Sequence, residues 1–542
     1  MKNLNWINKI STVVIVLFYL NIHGQDYLET ATIIGNGITT DNSKSWTDIA
    51  SVTIDVTNVS FVFVTASINM RPDGSHISGR EANYNIYRSD LSTDESAVIK
   101  RQIIRNSETG VESWGVGTLV HVFDTSALTG DKTYTLEHSN QGNSSLGRNV
   151  YSSARLTAVA LTTELTSVEL SNDVKRLSSG VNTTSATYAA VTGLSTSSIT
   201  LPIAGDIYVA ASINSRANGG GSVAEYKLQY STDAGVNWFD LGKPVKRSMI
   251  NTFDDGIVSL VSLLQNLGIG SDYQFRVAHK RDSGSNTITT NNANIVAIAL
   301  SHINGYFPSF YSEVGTVGID ITGVSTAETE VISATFTAAA DIGAVGTDLY
   351  VHSQYLVSAS NLNEGTPQRM RSHNQLFLDD GIVVQAADTY YRYIPDNSNF
   401  GSGGFIGLAE NLTGGGSYSV SMRHGVEYVS NPDVTEDETL TTSEVILTGF
   451  QTYDQPNPLL GIDDFELSML GISIYSSASS VYLKSESPIE ATIKIYNILG
   501  QLIKTKQINN ESTVSIKLNN YKGIAIVSLS IDGKIFTKKV IL

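Results

Sequence analysis

The sequence predicts an all-β protein, with three tandem β-sandwiches ahead of a smaller fourth one. Three observations lead there. Of 542 residues only 16% are charged, while 45 are Gly and 25 are Tyr, a vocabulary of strands and turns with few helix-favouring runs. Short alternating apolar segments are punctuated throughout by Gly, Asn, Ser and Asp, as strands joined by turns require. Ordered blocks of sequence also recur about 140 residues apart, the size of a whole sandwich and far longer than a propeller blade or solenoid turn. A prior of roughly 150 residues per domain gives three or four domains at this length.

Residues 1–25 read as a signal peptide rather than as part of the fold. "MKNLNWINKI" carries Lys2 and Lys9 and no acid, "STVVIVLF" is a short apolar run, and small and polar residues close the segment at "NIHGQ". The apolar part is short for a membrane span, and no later stretch approaches the ~18 apolar residues one needs, so the mature chain is expected to lack a transmembrane segment. Cys is absent altogether. That excludes a lipoprotein, disulfides, thiolate metal sites and cysteine nucleophiles, and an exported chain of this kind must rely on its cores.

The first two sandwiches are expected at 26–163 and 164–305. "VTASINMR" (Val64–Arg71) returns as "VAASINSR" (Val209–Arg216), and "NYNIYRS" (Asn83–Ser89) as "EYKLQYS" (Glu225–Ser231). Lys100-Arg101 returns as Lys246-Arg247, "TYTLEH" as "QFRVAH", and "LTAVALT" (Leu156–Thr162) as "IVAIALS" (Ile295–Ser301). Five blocks in one order are the mark of duplication. A third, more diverged copy is expected at 306–452, where "DLYVHSQ", "YYRYIPD" with Arg392, "YSVSMRH" and "VILTGF" follow in the same order. The closing strand of each copy, apolar with small residues, reads as central and buried. In the octapeptide, Phe61–Ala66 reads as buried strand, and Ser67, Asn69 and Arg71 as its exit into a loop. The succession of strands resembles tumour-necrosis-factor-like jelly rolls through hydrophobic spacing alone, so the units are taken as jelly-roll-like, and a shared fold would not assign a function.

Residues 453–470 form a linker, with Pro456 and Pro458 two residues apart in "YDQPNPLLGIDDFE", a poor strand and a worse helix. From 471 to 542 alternating strands return, with turns at Leu499-Gly500 and Asp532-Gly533. "IKIYNILGQLIKTKQI" followed by "GKIFTKKVIL" resembles the type A C-terminal sorting domain of the type IX secretion system of Bacteroidetes. On that resemblance the recognition residues are Tyr496, Asn497, Leu499, Gly500, Gln501, Lys538 and Lys539. It implies type IX secretion machinery at the outer membrane as a partner, and a chain attached to the cell surface or released. The segment departs from the family in having "IYSSAS" where a Tyr-Pro-Asn-Pro-like start is common, and Ile524 and Ala525 where Tyr tends to follow the Lys-Gly pair.

Charge divides the chain in the same place. The net −17 comprises +2 in residues 1–25, +5 from Gly471 onward, and −24 between. A body this acidic excludes nucleic acid, whose phosphates need a basic footprint.

Within the body, His138, His279 and His424 recur once per copy, without a second ligand at metal spacing, and read as structural. Arg101, Arg247 and Arg392 also recur. Two readings stand: a ligand-facing row for carboxylate or sulfate, or buried partners of acidic residues. Tyr390 and Tyr391 in "TYYRY" are candidates for stacking on sugar rings. "STDAGVNW" (Ser231–Trp238) fits the Asp-box pattern and reads as a stabilised hairpin turn, with Asp accepting turn amides and Gly at positive φ. "FDDGIVS" and "LDDGIVV" read as turns with adventitious calcium as the alternative, and no cofactor is expected. "ANGGG" and "FGSGGFIG" (Phe400–Gly407) read as flexible loops. No catalytic triad, metal cluster or nucleophile motif stands out, so the expectation is an exported, non-enzymatic adhesin or structural binding protein. A carbohydrate-binding protein for extracellular polysaccharide is the alternative, and a divergent hydrolase the third reading.

Overall fold

The structure, a computed structural model, describes strands from Leu28 to Tyr453 and from Ile472 to Ile541, with many of the turns between them. Residues 1–27, 41–45, 73–79, 92–98, 104–114, 142–149, 162–171, 250–255, 302–308, 339–346, 361–369, 380–383, 387–389, 395–399, 429–438, 454–470 and 498–500, with some shorter turns, lie outside the described residues. The signal segment and nearly all of the linker therefore fall outside them. Every described element is a strand, as the composition predicts. The chain divides into two compact units, one built on Tyr27–Asp454 and the other containing Gln455–Leu542.

The first unit holds three pairs of antiparallel sheets. In the first pair, β1 (Leu28–Thr40), β8 (Val150–Leu161), β3 (Phe61–Pro72) and β6 (Gly115–Asp124) form one sheet in that order. The facing sheet is β2 (Thr47–Asp55), β7 (Asp131–Gln141), β4 (Arg80–Arg88) and β5 (Ile99–Ile103). Strands 1, 8, 3, 6 against 2, 7, 4, 5 is a jelly-roll winding.

The second pair repeats that order with its first two positions split. One sheet is β10 (Val181–Thr183), β18 (Ile288–Ser301), β13 (Gly205–Ala217) and β16 (Gly256–Leu267), with β9 (Asn172–Leu177) also on β18. The other is β11 (Ala189–Ser195), β17 (Asp272–Ser283), β14 (Ser222–Ser231) and β15 (Phe239–Met249), with β12 (Ile199–Thr200) on β17.

The third pair follows suit. One sheet is β19 (Ser309–Val314), β28 (Thr439–Tyr453), β22 (Thr347–Ser360) and β26 (Phe400–Leu412), with β20 (Ile319–Thr322) on β28. The other is β21 (Ser325–Thr337), β27 (Ser417–Tyr428), β23 (Met370–Asp379) and β24 (Val384–Ala386), with β25 (Tyr390–Ile394) on β23.

Sequence blocks matched by spacing also share a register. Val64 pairs with Ala158 and Val209 with Ala297, while Tyr84 faces His138 and Tyr226 faces His279.

The two sheets of each pair differ in character. β2 alternates buried and exposed residues, as a sheet with one wet face should. By contrast β6 is buried along its first nine residues and β13 along almost its whole length, because the second face of these inner sheets is covered as well. A fourth apolar core does the covering. It gathers Phe63 and Val122 from the first sandwich, Tyr208 and Leu263 from the second, and Tyr350 and Phe450 from the third. Phe63, Tyr208 and Tyr350 meet ring to ring at centroid distances of 5.6, 5.7 and 6.2 Å, all edge-on, the arrangement that aromatic quadrupoles favour.

The three inner sheets thus pack around a common pseudo-threefold axis. The contact is also interlocked: Val116 of β6 lies in the third sandwich's core, and Ile257 of β16 in the first's.

Along the axis the lining changes from apolar to polar. Register aligns Thr65, Ala210 and His352 in the layer after the rings, and Ser67, Ser212 and Gln354 in the next. β6, β16 and β26 are sheet edges whose outward N–H groups need partners, and neighbouring sandwiches supply them. Thr118 N donates to Ser259 Oγ at 2.9 Å, Val261 N to Gln354 Oε1 at 2.7 Å, and Phe400 N to Ser248 Oγ at 2.8 Å. Tyr208 Oη bonds His352 Nδ1 at 2.6 Å, and Asn294 Nδ2 donates to Val120 O at 3.0 Å.

Two expectations from sequence are corrected here. Phe400–Gly407 is part of the buried strand β26 rather than a flexible loop. Its glycines permit close approach: a Cβ on Gly403 would stand 2.2 Å from the Tyr355 ring, and one on Gly404 2.8 Å from Ser259 of the second sandwich. The tail of the octapeptide is not a loop exit either. β3 runs on to Pro72, and Ser67 and Asn69 are buried. Their polarity suits the polar end of the axis, which a reading of one sandwich alone cannot anticipate.

The second unit is a single antiparallel sheet, β29 (Ile472–Ser477), β30 (Ser480–Asn497), β32 (Ile524–Ile531) and β33 (Lys534–Ile541), with β31 (Leu502–Lys517) on β30. Ile474, Leu483, Ile495, Val514, Leu529 and Phe536, from all five strands, share one core. A flat sheet cannot enclose such a core. The sheet folds over where the β30–β31 register breaks between Lys484 and Ile489.

Isolating one sandwich would strip the fourth core bare. A fragment such as 164–305 is expected to aggregate or self-associate, while 27–454 runs as a monomer in size-exclusion chromatography with light scattering. A folded, monomeric single sandwich would contradict this architecture.

Candidate functional site

With the inner sheets turned toward the axis, the outer sheets present the wet faces, and the second is described most fully. β15, β14 and β17 lie side by side, and alternate residues point outward. Register sets Glu225 between Lys246 and Lys280, and Gln229 between Asp240 and Arg276.

The first row is an ion-pair cluster. Lys280 Nζ lies 3.0 Å from Glu225 and 3.5 Å from Asp282, and Lys246 Nζ lies 2.9 Å from Asp282. Glu225 is only 6% exposed and also accepts a hydrogen bond from the Tyr188 hydroxyl. The Tyr188 ring has Lys227 Nζ at 3.8 Å and Lys280 Nζ at 4.8 Å from its centroid. Burial and the Glu225 carboxylate push the Tyr188 hydroxyl far above its ordinary range. Burial opposes the charge on Lys280, but Glu225 and Asp282 outweigh it and raise its pKa. Asp282 is lowered, burial being outweighed by Lys246 and Lys280.

The second row ends on an aromatic platform. The Arg276 guanidinium carbon lies 4.0 Å from the centroid of the Trp238 ring, and its Nε and Nη2 donate to Gln229 Oε1 at 3.0 and 2.9 Å. Gln229 Nε2 in turn donates to Asp240 Oδ1 at 2.9 Å, and Asp240 pairs with Lys227. Trp238 is held by the Asp-box turn, built as its residue types predict. Ser231 Oγ donates to Asp233 Oδ1 at 2.7 Å, Asp233 Oδ1 accepts from Asn237 N at 2.8 Å, and Trp238 Nε1 donates to Gly235 O at 2.8 Å. Gly235 sits at φ +85°, where only glycine is unstrained. Val236 and Phe239 flank the turn and are 76% and 51% exposed.

The recurrent arginines occupy one register, Arg101 opposite Ala82, Arg247 opposite Ala224 and Arg392 opposite Ser372. Arg247 is enclosed at 1% exposure, not turned to solvent, and its guanidinium fills the space a Cβ on Gly256 would need. The side chains of Arg101, Arg392, Tyr390 and Tyr391 lie outside the described residues, though their backbones stand in β5 and β25. The Asp-Asp-Gly carboxylates at 254, 255 and 380 also lie outside them. Among the described residues no three acidic or His side chains are grouped to hold a metal ion. Arg276 was not singled out by sequence because it does not recur. The signal that marks it is its alternation with Phe275 and Val277 on β17, two strand positions from Gln274.

The recurrent histidines serve the sandwiches. His279 Nδ1 bonds Thr290 Oγ1 at 2.9 Å and His424 Nδ1 bonds Thr442 Oγ1 at 2.7 Å, each across to the opposite sheet, while His138 packs on Tyr84. Burial lowers His138 and His279 to about 4, and lowers His352 on the axis and His121 beside Asn294 to about 3, with Arg176 adding to the effect at His121.

In the C-terminal unit, Asn497 and Gln501 clasp the β30–β31 turn. Asn497 N donates to Gln501 O, Gln501 N to Asn497 Oδ1, and Asn497 Nδ2 to Gln501 Oε1, at 2.9, 2.9 and 2.8 Å. Tyr496 and Lys538 are half-buried, whereas Leu499, Gly500 and the Lys539 side chain lie outside the described residues.

Comparison with known proteins identifies that unit. Residues 476–542 match the family of secretion system C-terminal sorting domains, so this segment is a type IX sorting domain and the chain is secreted, extracellular or attached at the cell surface. No curated protein sequence matches the chain. Among solved structures, the N-terminal CBM22-1–CBM22-2 tandem domain of Xyn10C from Paenibacillus barcinonensis is 10% identical over 52% of this chain and 97% of its own, with a TM-score of 0.17. PNGase F, a glycosylasparaginase from Flavobacterium meningosepticum, is 8% identical over 51% of this chain and 97% of its own, at 0.23. A β-glucuronidase from Ruminococcus gnavus is 9% identical over 39% of this chain and 36% of its own, at 0.12. At these scores the likenesses bear on neither strand arrangement nor function.

Two outcomes follow from these environments. Histidine has an ordinary pKa near 6.5 and a lowered one in the fold, so below pH 6.5 the unfolded chain takes up protons that the native chain refuses. Stability is full above about 6.5 and falls as pH drops toward 4 and 3, by up to about 1.4 kcal/mol per pH unit for each of the four histidines. Melting temperature is therefore expected to decline steeply from pH 7 to pH 4, and a flat profile would contradict the neutral, buried imidazoles. Separately, Glu225→Ala leaves Lys280, Lys246 and Tyr188 without their shared acceptor. A loss of about 2 kcal/mol in denaturant unfolding is expected, against little change for Asp272→Ala at the exposed sheet end.

Proposed function

We propose that this chain is an exported binding protein of the adhesin class, not an enzyme, and that its three-sandwich head meets its target through the outer sheets. The observation supporting this is the second outer face, where charged and aromatic side chains are tied into fixed positions by neighbours on adjacent strands. A pre-ordered flat face loses little side-chain entropy on binding, and it suits an extended target better than a small substrate. The three sandwiches are read as copies of one unit. Their closure about an axis leaves the outer sheets as the faces open to a target.

Polysaccharide is the second reading. It is favoured by the Trp238 ring beside hydrogen-bonding Gln229 and Asp240, since sugars offer an apolar face and a hydroxyl rim.

Attachment of producing cells to biotic and abiotic surfaces tests the proposal. Replacing 27–454 by an unrelated sandwich while keeping the sorting domain should abolish attachment and leave export intact. Unchanged attachment would refute it.

A further inference from the structure

We propose that Arg276, laid on Trp238, is the anion-reading subsite of the second outer face, and that its ligand is a carboxylate- or sulfate-bearing polysaccharide. This rests on the reading of the head as a binding protein and adds the ligand's chemistry.

The cations of this face do not stand alike. Lys227 has Asp240, Lys246 has Asp282, and Lys280 has Glu225 and Asp282. Arg276 has no carboxylate within ion-pair distance among the described residues, and its cross-strand neighbours are Gln229 and Ser195, both neutral. Its geometry is nevertheless fixed. The indole supports one face of the guanidinium, and Gln229 Oε1 takes the Nε and Nη2 protons. Five N–H donors are available to a guanidinium, so those on Nη1 and the second on Nη2 remain for a guest.

An oriented planar cation without a counter-charge is half of the fork that binds carboxylate or sulfate through two parallel hydrogen bonds. Partial burial already disfavours its charge and lowers its pKa, a penalty that a bound anion would relieve. The positioning is deliberate in the fold: Trp238 stands there only because the Asp-box turn holds its Nε1 and because Gly235 takes a left-handed backbone.

The surroundings favour a sugar polymer over an acidic peptide. Gln229, Asp240 and Lys227 form a row of mixed donors and acceptors suited to hydroxyls. Asp240, Asp282 and Glu225 would repel a densely acidic chain, whereas an acidic sugar carries one charge per residue among neutral hydroxyls.

Arg423 offers an internal control. Its guanidinium carbon lies 4.1 Å from the Phe377 ring centroid on the third outer face, but Glu330 stands directly opposite it in register. No side chain among the described residues fixes that guanidinium as Gln229 fixes Arg276.

The test is binding of the intact secreted protein to immobilised polygalacturonate, its methyl ester, dextran sulfate and dextran. Arg276→Gln, Arg276→Lys and Arg423→Gln would be compared after melting temperatures confirm folding. The expected result is retention on polygalacturonate or dextran sulfate at least tenfold stronger than on the uncharged counterpart. The two pairs separate carboxylate from sulfate. Arg276→Gln should remove that preference, Arg276→Lys should weaken it severalfold because a lysine cannot form the fork, and Arg423→Gln should change it less than twofold. Equal retention on charged and uncharged polymers, retention on none of them, or a preference that survives Arg276→Gln would overturn the proposal. If cells still attach through the head in any of those cases, the binding-protein reading stands and only the ligand assignment falls.

Discussion

Phe63, Tyr208 and Tyr350 touching on one axis is the contact from which the rest of the first unit follows. A jelly-roll whose inner sheet is apolar on both faces cannot stand alone in water, since one face meets its own outer sheet and the other is left bare. Each fully buried aromatic or branched side chain is worth roughly 1.5–3 kcal/mol, so the fourth core outweighs the features of any one outer face. Three such sheets satisfy each other when they close in a ring, and a head-to-tail interface closes without leaving an end. Here the ring is made within one chain. Its assembly does not depend on protein concentration, and for a secreted protein diluted after export that is a physical advantage.

The two halves of the axis do different work. The ring layer and the Val, Leu and Ile around it provide adhesion but little discrimination, because apolar surfaces tolerate sliding. The polar layers are specific. Thr118 N, Val261 N and Phe400 N are edge-strand donors, and each meets a side-chain oxygen from a neighbouring sandwich. A slip of one residue would turn those side chains away and leave buried donors unmet, at about 1–3 kcal/mol apiece. Divergence of the copies also permits contacts that three identical subunits could not make once only. Tyr208 finds His352 where the first strand has Thr65 and the second Ala210.

Much of this was legible in the sequence, and the parts that were not share a cause. Fold class and block correspondence were readable because a strand's alternation and a duplicated spacing are local facts. The match of Val64–Ala158 with Val209–Ala297 shows how faithfully spacing became register. The sorting segment was readable because its turn, from Asn497 to Gln501, is written in consecutive residues. What escaped were consequences of packing between sandwiches. Gly403 and Gly404 look like loop residues until Tyr355 and Ser259 are seen against them. Ser67 and Asn69 look like a strand's exit until the polar end of the axis gives them a place. Arg247 stood open in the sequence to a ligand-facing and a buried reading, and only packing decides it: its guanidinium lies over Gly256 in the interior.

Recurrence and function thus separate in this molecule. Positions repeated in each copy, such as the histidines at 138, 279 and 424 and the central strand, serve the unit itself, and burial keeps them from facing a ligand. Freedom to specialise is greatest on the outer sheets, where a substitution disturbs neither a sandwich core nor the ring. The second sandwich has used that freedom. Its Asp-box turn occurs once, holds one Trp and lays one Arg across it, and the charges beside that Arg are already neutralised in pairs. A site that depends on one uncompensated cation does not need three copies, but it does need a rigid support. The closed ring supplies that rigidity to the sheet beneath Arg276.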